Sequence, residues 1–161
     1  MEGSGTANIY TIVGPPSVGK TELAKRIAEK YFMDYVDLEA LLKYKTPTGK
    51  MAAVTDDNEI TRILDNYLRS MTAKRIIVDK FPRNMYQLRQ FEKTYAPFTQ
   101  IFAIQVDKDV LIQKALKRTP KKRSATVHKE MNEFFRAMIP VIEHKKTCKL
   151  NGNNSIAEML D

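Results

Sequence analysis

Residues Gly14 to Thr21, "GPPSVGKT", put two glycines, a lysine and a threonine at the spacing G-x-x-x-x-G-K-[ST]. Glycines let the backbone curl until successive N–H groups point inward. At the start of a helix those donors make a cradle for anionic oxygen. Gly14, Pro15, Pro16, Ser17, Val18 and Gly19 would form the cradle, Lys20 would reach the β- and γ-phosphates of a nucleotide, and Thr21 would offer its hydroxyl to Mg²⁺. The competing reading is a tight strand-to-helix turn with no ligand. A second group stands in "IIVDKFPRNMYQ", residues 76–87. There Asp79 ends a β-branched run and could hold Mg²⁺ through water, while Arg83 presents a fork of donors suited to a phosphate. Each also has a plainer reading, Asp79 as the cap of a helix from Met85 and Arg83 as a solvated charge.

These residues need elements to position them. Apolar, β-branched runs at 9–13, 35–37, 76–78, 101–106 and, weakly, 148–150 predict strands. Between them Leu23, Ala24, Ile27, Ala28 and Tyr31 keep helical spacing, as do Ile60, Ile63, Leu64, Tyr67 and Leu68, and then Leu88, Phe91 and Tyr95. Residues 110–117 and 126–145 predict two more helices, and Pro140 predicts a kink or a break in the last. On that helix Met131, Phe134, Phe135 and Met138 share a core-facing side, with His128 and His144 at the surface. Strand and helix in alternation predict an α/β fold, a five-stranded parallel sheet covered on both faces. Its ligands would bind beyond the carboxyl ends of the strands.

A chain of 161 residues with 43% hydrophobic content reads as a single domain over 1–161. No apolar run is long enough to span a membrane, and the N-terminus lacks the pattern of a secretory leader, so a cytoplasmic location is expected. The one cysteine, Cys148, has no partner for an internal disulfide. A net charge of +8 favours phosphate-bearing partners without choosing among them. Nothing pairs aromatic and basic residues as a nucleic-acid reader does, which argues against that class. The basic cluster Lys114, Lys117, Arg118, Lys121, Lys122 and Arg123 has three readings: a lid that closes on phosphate, a solvated face, or a nucleic-acid or nuclear-address patch.

"Asp79-Lys80-Phe81-Pro82-Arg83-Asn84-Met85-Tyr86-Gln87" resembles the adenylate kinase signature D-G-[FY]-P-R-x-x-x-[NQ], and the likeness covers nearly the whole chain. "Leu41-Leu42-Lys43" resembles the segment bearing an AMP-phosphate arginine. "Lys117-Arg118" through Arg123 resembles the lid, and residues 139–156 resemble the family's C-terminal helix and strand. The resemblance implies a P-loop NTPase-type three-layer sandwich with an acceptor-binding helical excursion near 38–73 and a short lid near 118–128. It implies ATP and Mg²⁺ as cofactors and AMP as acceptor. Lys20 and the Gly14 to Thr21 loop would hold ATP, Lys43 and Arg83 the AMP phosphate, and Gln87 the acceptor base. Arg118 and Arg123 would close over the transferring group, and Thr21 and Asp79 would hold the metal. Phosphoryl transfer needs little covalent chemistry from protein, so a cation and several arginines are the expected parts.

The chain departs from the pattern at Lys80, where the family has glycine, and at Leu38, Lys43 and Glu130, where it has threonine and two arginines. Lys80 could turn away, add a phosphate contact or fill the acceptor site; lying across the acceptor cleft it would sink the AMP assignment, and pointing to solvent it would leave it standing. These departures support a rival reading, a kinase-like module that binds nucleotide or a partner within a larger polypeptide. The chain also ends early, at 155–161, for the family's last helix.

Overall fold

The computed structural model describes residues 7–15, 19–45, 56–105, 107–118, 124–143 and 147–151. Strands β1 (Asn8–Val13), β2 (Asp34–Asp37), β3 (Arg75–Asp79), β4 (Gln100–Gln105) and β5 (Thr147–Asn151) form one sheet in the order β2-β3-β1-β4-β5. Every neighbouring pair is parallel. The helices described are α1 (Lys20–Lys30), α2 (Leu38–Lys45), α3 (Asp57–Ser70), α4 (Met85–Thr94), α5 (Lys108–Arg118) and α6 (Ser124–Ile142). This is the α/β parallel sheet expected from the alternation, including the weak fifth strand, and the P-loop NTPase-type architecture that the resemblance implies.

The strands are apolar without alternation because helices cover both faces. On one face Ile9, Ile76, Val78 and Ile101 pack with Leu64 and Leu68 of α3, Leu88 and Phe91 of α4, and Met138 and Val141 of α6. On the other, Ile12, Ile77 and Ile104 meet Leu23, Ala24 and Ile27 of α1. A smaller cluster joins Leu111 and Ile112 of α5 to Val127 and Met131 of α6. The segment expected as an acceptor-binding excursion, 38–73, includes α2 and α3. The apolar sides of both lie in the main core, and residues 46–55 between them are outside the described residues. Of the expected lid at 118–128, the part from Ser124 on is the first turn of α6.

The break expected at Pro140 is absent. The helix continues to Ile142, and the Glu143 N–H donates to Ile139 O at 3.0 Å across the proline. Only the donor of Pro140 itself is lost, and it falls in the last turn, where little helix remains to be disrupted.

Register matters most for the site. Ile12 of β1 and Asp37 of β2 both pair with Asp79 of β3, so the carboxyl ends of three adjacent strands finish level. Gly14, Leu38 and Lys80, each just past the end of its strand, therefore open onto the same edge of the sheet.

Candidate functional site: a cavity at the carboxyl edge of the sheet

β1 runs into Gly14 and Pro15, both buried, and α1 begins at Lys20. Gly19, the residue before the helix, has φ 79° and ψ 24°, a left-handed conformation that glycine takes without steric cost. Among the described residues no side chain caps α1, and the N–H groups of a helix's first turn suit an anion. Pro16, Ser17 and Val18 lie outside the described residues. The Lys20 ammonium stands 4.0 Å from Asp79 Oδ1. Burial holds its pKa below the ordinary lysine range; Asp79 opposes that shift, and the neighbouring charges of Lys80 and Arg83 add to it. A bound phosphate would favour the charged form again.

Asp79 is fully buried, and its two oxygens differ. Oδ2 accepts from the Thr21 hydroxyl at 2.8 Å and from the Tyr35 hydroxyl at 2.7 Å. Oδ1 has no hydrogen-bond partner among the described residues. A buried carboxylate oxygen left in that condition costs about 1–3 kcal/mol, more when charged, unless a donor or cation meets it. The residues fit Mg²⁺ on this ground: an orphaned anionic oxygen beside a hydroxyl, at the mouth of a phosphate loop. Among the described residues no group of three His, Cys, Asp or Glu side chains could ligate a metal, so the nucleotide's own oxygens would supply the remaining ligands. Asp79 is not a helix cap. That role falls to Asn84, whose side chain accepts from the Gln87 N–H at 2.8 Å at the start of α4.

The turn after β3 is tightly braced. Thr11, buried in β1, sets its hydroxyl 2.9 Å from Val78 O and also contacts Phe81 O. Phe81 is a core residue packed against Phe91 and Phe98, and the Phe81–Pro82 peptide is cis. Lys80 has φ 71°, the left-handed region again, where a Cβ costs about 1–2 kcal/mol. Its side chain does not turn away. Only 23% exposed, it places the ammonium 3.1 Å from Asp37 Oδ2 and 3.7 Å from Glu39 Oε2. Asp37 also caps α2, its Oδ1 accepting from the N–H groups of Glu39 at 2.9 Å and Ala40 at 3.3 Å.

Arg83 is fixed through its backbone. Its N–H donates to Gln87 Oε1 at 2.7 Å, and Gln87 Nε2 donates to Asp57 Oδ1 at 2.9 Å. Gln87 is 1% exposed, so both ends of the amide expected to read an acceptor base are engaged by protein.

One cavity of about 350 Å³ is lined by Gly14 and Lys20 together with Glu39, Lys80, Pro82 and Arg83. Phe134 and Met138 of α6 also line it. Lys43 is exposed on α2 and is not among the lining residues, while Leu38, at the family's threonine position, is fully buried in the core. The Arg118 side chain and Arg123 lie outside the described residues. Tyr35, Thr11 and Asp57 escaped sequence reading. Thr11 carried a signal, a lone polar residue within an apolar strand, whereas Tyr35 and Asp57 depend on contacts with residues far away in the chain.

The pattern of the AAA domain family matches residues 13–132 of this chain. The chain is similar to adenylate kinase isoenzyme 1 of Gallus gallus, 25% identical over 94% of this chain and 89% of that protein. It is 27% identical to adenylate kinase of Alkaliphilus oremlandii over 75% of this chain and 64% of that one. Adenylate kinase isoenzyme 1 of Homo sapiens is 23% identical over 83% and 78%.

Proposed function

We propose that this chain, which belongs to the AAA domain family as an adenylate-kinase-like member, transfers the γ-phosphoryl group of ATP to a nucleoside monophosphate, with AMP the acceptor. The observation that carries this reading is the single cavity that Lys20 and Arg83 both line. Two cationic positions on one cavity suit two phosphate chains brought end to end. The α1 N-terminus and Lys20 would hold the donor, and Arg83 the acceptor phosphate, already ionised and so in need of no general base. Arg118 and Arg123 are proposed to close from the lid, with Lys43 and Gln87 toward the acceptor. Bound magnesium would neutralise charge on the donor oxygens, with Thr21 and Asp79 as its protein partners. No helix among the described residues is long and apolar enough to cross a membrane, in keeping with a cytoplasmic enzyme of small nucleotides.

A second reading is favoured by two observations. Lys80 lines the acceptor wall in ion pairs with Asp37 and Glu39, and the Gln87 amide is engaged at both ends. For AMP to enter as the resemblance implies, Lys80 must exchange those carboxylates for the acceptor phosphate. If it does not, the domain binds a nucleotide without turning it over. Coupled detection of ADP with a panel of nucleoside monophosphates separates the two. Turnover that is lost in Lys20→Met supports the kinase. Binding of ATP with no acceptor site, measured by calorimetry against a dinucleotide linking two adenosines, supports the second.

A further inference from the structure

Tyr35 sits on the edge strand β2, paired with Ile77, while Asp79 lies two residues further along β3. In a sheet, residues two apart share a face, and a diagonal neighbour on the next strand is within reach of a long side chain. Tyr35 uses that diagonal. Its ring packs at the edge of the α1-side cluster with the Lys25 ammonium 5.6 Å from its centre, and its hydroxyl donates to Asp79 Oδ2 at 2.7 Å. Thr21, from the first turn of α1, donates to the same oxygen at 2.8 Å.

We infer that Tyr35 is a positioning residue for the cation site: with Thr21 it holds Asp79 Oδ2, so that Oδ1 alone is presented toward the phosphate loop. This rests on the reading of Asp79 as a magnesium partner. A carboxylate turns about its Cβ–Cγ bond unless its oxygens are held differently. With Thr21 as sole donor, the hydroxyl and the carboxylate could rotate together, and Oδ1 could swing away from the Lys20 ammonium. The second donor, carried on a different strand, removes that freedom. It also lets Thr21 give its proton to Asp79 and keep a lone pair for the cation. Two O–H donors on one oxygen while its buried twin has none among the described residues is the asymmetry such a role requires.

The test is Tyr35→Phe, which keeps the ring and removes the hydroxyl, in the whole chain. ATP binding is titrated by calorimetry at stepped Mg²⁺ concentrations and in EDTA, alongside a thermal melt. The Mg²⁺ concentration that gives half of the magnesium-dependent gain in ATP affinity should rise roughly ten-fold, the lower end of what loss of an orienting partner costs a metal site. ATP affinity in EDTA should stay within about two-fold. An unchanged Mg²⁺ midpoint overturns the inference, as does an equal loss with and without magnesium, which would mark Tyr35 as structural only. A wild-type chain with no magnesium-dependent component overturns both this and the metal assignment. Magnesium-dependent ATP binding without turnover would sink the kinase reading and leave the role of Tyr35 standing.

Discussion

Among single residues, Lys80 bears most directly on what this site can do. Its backbone takes a left-handed conformation and its ammonium bridges β3 to α2. The two features separate by substitution. Lys80→Gly and Lys80→Ala both remove the ion pairs, which for a partly exposed pair contribute about 0–1 kcal/mol. Only alanine retains the Cβ that a positive φ disfavours. Urea unfolding should therefore find Lys80→Gly more stable than Lys80→Ala by about 1 kcal/mol; equal midpoints would mean that the turn carries no such strain. Lys20 predicts differently. Its ammonium is the nearest cation to Asp79 Oδ1 and lies at the start of the phosphate loop's helix. Lys20→Met should lower turnover by roughly 10²–10³-fold or more, as loss of one oriented donor to a developing charge does. Activity that survives would remove Lys20 from the reaction. At this scale residue types and spacing singled out Gly14, Lys20 and Arg83, which line one cavity, and Thr21 and Asp79, which hydrogen-bond to each other. They did not show that Lys80 pairs with Asp37 and Glu39, because those partners lie on another strand and helix.

Between elements, the site depends on how α3 and α4 meet. Asn84 caps α4 and also approaches the Asp57 carboxylate at 3.4 Å, while Gln87 joins Asp57 to the backbone of Arg83. One carboxylate at the start of α3 thus helps to fix the loop that carries Arg83. Gln87→Met preserves side-chain length but strips Arg83 N–H and Asp57 of a buried partner, and should destabilise the chain by about 1–3 kcal/mol in urea. Asn84→Ala should cost about 0.5–2 kcal/mol through loss of the cap. If Gln87→Met proves neutral, water substitutes for the amide and the coupling is weaker than the geometry suggests. The helices themselves were legible from apolar spacing, since Leu23, Ala24 and Ile27 of α1 and Ile60, Ile63, Leu64 and Leu68 of α3 are all buried. The excursion at 38–73 was less so. The same spacing suits a helix that projects and one that lies in the core, and here α3 lies in the core.

For the molecule as a whole, ligand and pH both act on the folding equilibrium. ATP with magnesium at a hundred-fold over its Kd should stabilise the fold by about 2.7 kcal/mol, raising Tm by roughly 5–10 °C for a chain of this size. Lys20→Met should show little of that rise. Above about pH 10 stability should fall. Burial lowers the Lys80 pKa, but the hydrogen bond and charge of Asp37 outweigh it, so the folded value is raised; the Tyr35 value is raised as well. In both cases the unfolded chain releases its proton first, so each contribution is full below the unfolded value and is lost as pH rises through the folded one. Tyr35→Phe removes one share, and its stability should decline less steeply than wild type between about pH 10 and 12. Parallel slopes would contradict the buried phenol. Sequence order and hydrophobic pattern were enough to determine a parallel sheet, its covering helices and a phosphate loop, because these follow from local spacing and from burial on two faces. Which side chains share the cavity was decided only when β1, β2 and β3 paired in register. That pairing levels Ile12, Asp37 and Asp79 at one edge and brings Tyr35 and Lys80 to carboxylates some forty positions away along the chain.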